Sequence, residues 1–272
     1  MTKVNTDPQW DGKTKGGQEG YAFFHFCLKF LGLKAAYFAL YFVAFFYFIF
    51  ESHSRYVGKD FISKVKDMRQ SLNQQAQNNP NEGFLFPYFQ FIQLGKCLID
   101  RMYYLSTDSQ PPLSGLNFSE LKGIEKGGLL ISGHYGGWEL ASRLIPAFYT
   151  GTLNILMHQG ESEKMQKYID QIQGKQGPQI RILNAGDGAG VYLEIYKAIK
   201  NEEVVVMHGD RTLNQRTLEL PFLGHPAYFP EDPFALAAKL QCRVYYSFVT
   251  RMVDGRYSIK GINLDPNSNQ FN

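Results

Sequence analysis

Cysteine is scarce in this chain of 272 residues: Cys27, Cys97 and Cys242 are the only three, odd in number and widely spaced. They offer no disulfide framework and no C-x-x-C zinc pair, and read as reduced thiols on the cytoplasmic side. No G-x-S-x-G elbow occurs and no cysteine sits in a reactive-looking turn, which argues against an enzyme nucleophile. The H-E-x-x-H pairing of zinc hydrolases is missing too. Charge is modest and dispersed: 28 basic against 25 acidic side chains give a net charge of +3. Without a basic stripe that is no nucleic-acid surface, although it suits an anionic membrane or an acidic carrier. No repeat or low-complexity block interrupts the chain, whose length can bury one substantial core.

Aromatic side chains are abundant, at 15%, and much of the excess precedes residue 51. Residues 1–20 form a polar tail. Residues 21–50 read as a membrane-anchoring helix, because Ala35 to Phe50 has no charge, Gly or Pro and is apolar on every helical face. Sixteen residues rise only about 24 Å as a helix, against a hydrocarbon core of roughly 30 Å. Extension back to Ala22 repairs the length if Lys29 and Lys34 snorkel, so both a tilted span and a half-immersed anchor fit. The run begins too far in for a cleaved signal peptide, and no small-residue cleavage site follows Phe50.

Residues 51–272 read as the catalytic domain. Its first part is helical, from Arg55 to about Gln77 and from Glu82 to Tyr104. After Pro111-Pro112, short apolar runs alternate with amphipathic stretches, the pattern of an α/β layer fold. Strands are expected at Gly128–Ser132, Leu153–Met157, Gln179–Leu183, Glu203–His208, Arg243–Thr250 and Tyr257–Ile262. Helices are expected at Gly137–Phe148, Ser162–Gln173, Asp187–Lys200 and Pro233–Leu240.

The most informative stretch is Gly128 to Glu139, an apolar strand that runs into glycines with His134 and Glu139 at its mouth. Sites in open α/β sheets form beyond the carboxyl ends of strands. Residues five apart do not share a regular helical face. With His134 on the turn and Glu139 in the first helical turn, Gly136 and Gly137 would let the two side chains meet. A His–carboxylate pair makes a general base. On spacing alone, a strand-end His and a capping Glu are equally compatible.

A second strand, Val204 to His208, delivers His208, Asp210 and Arg211 to the same edge. Arg211 can grip a phosphate or developing oxyanion, while Asp210 can hold Arg211 or a loop in place. Further on, Phe222 and Gly224, with the Phe229 to Ala237 stretch, read as an apolar turn leading into a helix that could line an acyl channel. His134, Glu139, His158, His208 and Asp210 could supply metal ligands, but no tight two-His spacing occurs and no metal site is expected.

Together, the G-H-Y-G-G-W-E-L block at Gly133 to Leu140, Gly209-Asp210-Arg211, the Phe222 to Gly224 turn, and Phe229-Pro230 followed by Pro233 to Ala237 resemble the lysophospholipid acyltransferase superfamily. Within it, the resemblance is to the bacterial lipid A (late, secondary) acyltransferase branch, and extends from the aromatic segment to about Thr250. It implies an α/β fold with a mixed sheet flanked by helices, and an N-terminal anchor on the cytoplasmic face of the inner membrane. It also implies transfer of a fatty acyl group from an acyl carrier protein or coenzyme A thioester to a lipid acceptor, with His134 as base and Glu139 as its orienting partner. The implied partners are the bilayer, the acyl carrier protein and the acceptor lipid, with no nucleic acid and no cofactor beyond the thioester.

Three departures set the chain apart within that resemblance. The branch commonly shows Asp-Gln where this chain has Asp210-Arg211, which with His208 suggests a different acceptor head group. Met157-His158 stands where an arginine is usual, leaving His158 as a substrate-contact candidate. The sequence stops before the aromatic-rich C-terminal segment of the branch, as a shorter variant or a fragment would. Two other classes remain open: a membrane scaffold that kept the fold without turnover, and a metal-dependent lipid hydrolase.

Overall fold

The computed structural model describes residues 18–72, 83–107, 109–116, 121–145, 149–157, 179–211 and 216–264. Four helices come first: α1 (Gln18–Phe30), α2 (Leu33–Phe50), α3 (Ser52–Ser71) and α4 (Phe86–Ser106). The expected single helix over 21–50 is therefore two helices. They break at Gly32, whose φ of 83° lies in the left-handed region that glycine reaches without strain. The Pro at the start of α4 costs no hydrogen bond, since the first helical N–H has no partner within the helix.

The sequence reads this segment as apolar on every face, and the structure shows which stripe of it a protein neighbour covers. Ala36, Leu40, Ala44 and Phe48, spaced four apart, are buried; the first three share a core with Cys27, Ile92 and Ile99, and Phe48 packs on Tyr88 of α4. Small residues let the helices close, because a Cβ at Gly95 would lie 2.2 Å from Leu40 Cδ1. Phe38, Phe42, Phe46 and Ile49 face the other way and are exposed. Composition reports that a helix is apolar all round but not which stripe another helix covers.

After the helices comes a seven-stranded mixed sheet with order β1-β9-β8-β2-β5-β3-β4. Its strands are β1 (Leu113–Leu116), β2 (Gly128–Gly136), β3 (Thr152–Met157), β4 (Gln179–Asn184), β5 (Val204–His208), β8 (Val244–Arg251) and β9 (Tyr257–Asn263). All neighbours run parallel except β8 and β9. The central strands are unbroken apolar runs because both faces are covered. Leu130, Val204 and Tyr245 pack with Ile145 and Tyr149 on one face. On the other, Leu129, Val205 and Met207 pack under α6 (Ala189–Lys200) and α7 (Asp232–Leu240). The six expected strands are all present, shifted by a residue or a few at their ends. The expected Ser162–Gln173 helix lies outside the described residues.

Two expectations change. The segment after β2 is a 3-10 turn (Trp138–Leu140) followed by a short helix α5 (Ala141–Leu144), not a helix from Gly137. The apolar turn around Phe222 is an antiparallel hairpin, β6 (Thr217–Phe222) and β7 (His225–Pro230). Its two-residue loop, Leu223 and Gly224, has φ of 52° and 77°, both positive as a type I′ turn requires.

A buried ionic knot ties the helices to the sheet. Asp100 of α4, fully buried, accepts from Arg251 Nε of β8 (2.8 Å), from the Tyr257 hydroxyl of β9 (2.6 Å) and from the Tyr37 hydroxyl of α2. Burial and the carboxylate raise the Tyr257 phenol, which stays a protonated donor. Burial disfavours the Arg251 charge, but the hydrogen bond and attraction to Asp100 outweigh it and the guanidinium is held charged.

Candidate active site

The site lies where β2 and β5 leave the sheet. Ser132 of β2 is in register with His208 of β5. Side chains two apart along a strand share a face, so continuing that register by two residues sets His134 beside Asp210. The Asp210 carboxylate accepts from the His134 backbone N–H (2.7 Å, Oδ2) and lies 2.9 Å from His134 Nδ1 (Oδ1). Gly133 leaves room for it, since a Cβ there would meet Oδ2 at 3.3 Å. Burial would raise the Asp210 carboxyl, but the hydrogen bonds from the His134 ring and amide outweigh it and hold the group below its ordinary value.

With a carboxylate on Nδ1, the proton of a neutral His134 belongs on Nδ1, and Nε2 carries the lone pair. That is the tautomer a base needs. The glycines after His134 serve packing: Gly136, at φ 66°, sits so close to β8 that a Cβ would lie 2.2 Å from the Val249 carbonyl oxygen.

His208 stacks on His134 with ring centroids 4.1 Å apart and planes 32° from parallel. Trp138 stands edge-on to both, at 5.2 Å from His134 and 4.5 Å from His208. Burial first, then the neighbouring His134, pushes His208 down to about 4, Asp210 opposing and Arg211 adding to the depression. His208 is therefore neutral at physiological pH. Its Nδ1 is buried with no hydrogen-bond partner among the described residues.

His134, His208 and Asp210 each present one possible ligand atom within 4.8 Å of the others, a set that could hold a divalent cation. Imidazole lone pairs lie in the ring plane, however. Two rings stacked as His134 and His208 are direct them side by side more than toward one point.

Of the expected site residues, His134, His208, Asp210 and Arg211 come together at one sheet edge. Arg211 is exposed, and close enough that its charge bears on His208. Glu139 falls on the 3-10 turn directly after β2, but its side chain lies outside the described residues, as does all of His158. Phe222 and Gly224 sit at the end of the β6–β7 hairpin, where Phe222 meets Phe229 ring-edge to ring at 5.9 Å. Trp138 was not among the expected site residues, although its place between two glycines and Glu139 in the motif was a signal. Asp210 was expected to hold Arg211 or a loop, whereas it holds His134. A concavity lined by Lys126, Lys200, Lys239 and Arg243 lies at the amino ends of β2 and β8, away from this chemistry.

Residues 108–267, more than half of the chain, match the family model described as bacterial lipid A biosynthesis acyltransferase. No curated protein matches the chain.

Proposed function

From the premise that this chain belongs to the bacterial lipid A biosynthesis acyltransferase family, we propose that it transfers a fatty acyl group from a carrier-protein or coenzyme A thioester to a hydroxyl or amine of a lipid. The family supports an acyltransferase of lipid biosynthesis. Donor and acceptor are part of the proposal. The observation that carries the mechanism is the pairing of His134 Nδ1 with Asp210 at the carboxyl end of the central strand.

In this reaction His134 Nε2 takes the proton from the acceptor as its oxygen or nitrogen attacks the thioester carbonyl. The Asp210 carboxylate stabilises the imidazolium that forms. Collapse of the tetrahedral intermediate breaks the C–S bond, and His134 returns the proton to the departing sulfur. The new ester or amide and the free thiol balance the reaction without an enzyme-bound acyl group. Stacked His208, being neutral, adds no charge to oppose the imidazolium. Trp138 gives the base an apolar wall, Glu139 is the acidic member of the H-x-x-x-x-E motif that ends on the 3-10 turn after β2, and Arg211 is a cation for an anionic head group or developing oxyanion.

The family is typically membrane-associated, and α2 is apolar and long enough to serve, with mean hydropathy 1.8 over its 18 residues. We place the protein at the inner membrane with its sheet facing the cytoplasm, where carrier thioesters are made. In the test, detergent-solubilised wild type and His134→Ala are incubated with radiolabelled acyl-carrier protein or acyl-coenzyme A and a total lipid extract. A new labelled lipid with wild type and none with the variant is expected. Equal labelling by both would remove His134 from the mechanism.

The cluster of His134, His208 and Asp210 supports a second reading, a metal-dependent lipid hydrolase. Chelation separates the two, because general-base transfer survives it and metal-assisted hydrolysis does not.

A further inference from the structure

An upright α2 of 18 residues would rise about 27 Å, nearly a hydrocarbon core. Its packing argues against that posture. Along its whole length α2 is zipped to α4 and the turn before it: Phe48 meets Phe84 of that turn and Tyr88 at 5.7 and 5.9 Å, Tyr47 meets Phe91 at 6.3 Å, Leu40 covers Gly95, and Tyr37 bonds Asp100. But α4 carries Gln90, Gln93, Lys96, Asp100 and Arg101, the composition of a soluble helix. If α2 crossed the bilayer, α4 would cross beside it. The Asp100–Arg251 pair would then draw β8, and with it the sheet, toward hydrocarbon.

The first helix adds to this. Around the break at Gly32, α1 and α2 double back, so that the Tyr21 hydroxyl accepts from Arg101 Nη2 (2.8 Å) while Tyr37 bonds the adjacent Asp100. The beginning of α1 is thereby held beside the α4 turn that carries the sheet contact. What the pair offers outward is apolar: Phe23, Phe26 and Phe30 on α1, and Phe38, Phe42 and Phe46 on α2, all 47–66% exposed. Exposed Lys29 and Lys34 flank the turn, and exposed Lys59 and Lys66 follow on α3. A wide aromatic face bordered by lysines matches one leaflet of an anionic bilayer, with acyl chains under the rings and head groups against the cations.

We infer that α1 and α2 form a hairpin that lies in a single leaflet and does not cross the membrane, with α4 stacked above it as the link to the sheet. This rests on the membrane-associated reading above and decides between the two postures the sequence left open. It holds the mouth of β2 near the head groups of a lipid acceptor, on the same side as the beginning of α1.

The test uses the full chain with different epitope tags at its two termini, in sealed inverted and right-side-out inner-membrane vesicles treated with protease. Both tags are expected to be cut in inverted vesicles and both protected in right-side-out ones. Tags on opposite sides, with the protein retained in the membrane, overturn the inference while leaving membrane attachment intact. Release of all the protein by alkaline carbonate would instead overturn attachment itself, and the inference with it. In parallel, Phe38→Ser/Phe42→Ser/Phe46→Ser should partition at least 10-fold less onto phosphatidylethanolamine–phosphatidylglycerol vesicles while keeping the wild-type near-ultraviolet circular dichroism spectrum. Undiminished partition of a folded variant would also overturn it.

Discussion

His208 ties the stability of the site to pH in a way that can be calculated. Its folded-state pKa is about 4 against an ordinary 6.5, chiefly because the ring is buried and stacked on His134. The unfolded chain therefore binds the extra proton first as pH falls. Stability from neutral burial of the ring is complete above about pH 6.5 and is lost as pH drops toward 4. A shift of about 2.5 units at 1.36 kcal/mol per unit gives about 3 kcal/mol lost by pH 4. His208→Phe keeps a ring against His134 and Trp138, removes the titration and sacrifices no hydrogen bond at Nδ1. Urea unfolding in mild detergent at pH 7 and pH 4 should show wild type losing about 3 kcal/mol more than the variant, titrating groups remote from the site cancelling in the difference. If wild type and His208→Phe lose stability in parallel, the buried neutral histidine is not what the structure implies.

Asp210→Asn should keep the fold but disturb the tautomer of His134, lowering kcat about 10³- to 10⁴-fold with KM little changed. A loss below tenfold in a steady-state transfer assay, with a larger one for Glu139→Gln, would make Glu139 the principal partner. Asp100→Asn leaves the Arg251 charge, 7% exposed, without its counter-ion, and should destabilise by about 3–5 kcal/mol. Tyr37→Phe, which removes one neutral donor from the same carboxylate, should cost about 1 kcal/mol. Comparable losses for the two in chemical denaturation would mean that the ion pair is not the element holding the helices to the sheet.

The sequence by itself determined the α/β class and six of the seven strands of the main sheet, missing only the short edge strand β1. A parallel strand covered on both faces must be a continuous apolar run, as in Leu129 to Ile131 and Val204 to Met207, and such runs are visible without coordinates. It also marked His134, because an apolar strand ending in glycines and a histidine announces a strand mouth. Local pattern failed where long-range pairing decided. The β6–β7 hairpin is almost wholly exposed and has no buried face to impose a clean alternation on Thr217 to Pro230. The helix after β2 became a 3-10 turn because Gly136 and Gly137 are packed against β8 and β9, contacts more than a hundred residues away in sequence.

Tertiary structure alone chose the partner of the histidine. Proximity in sequence pointed to Glu139, five residues on, while the register of β2 on β5 brought Asp210 from 76 residues away to 2.9 Å of Nδ1. Register is a property of two strands together, so neither strand's sequence records it. The same holds for α2. Its composition determined that it is apolar, but only packing against α4 determined which stripe is buried, which aromatics remain outward, and that a carboxylate buried in α4 joins the helix to the sheet.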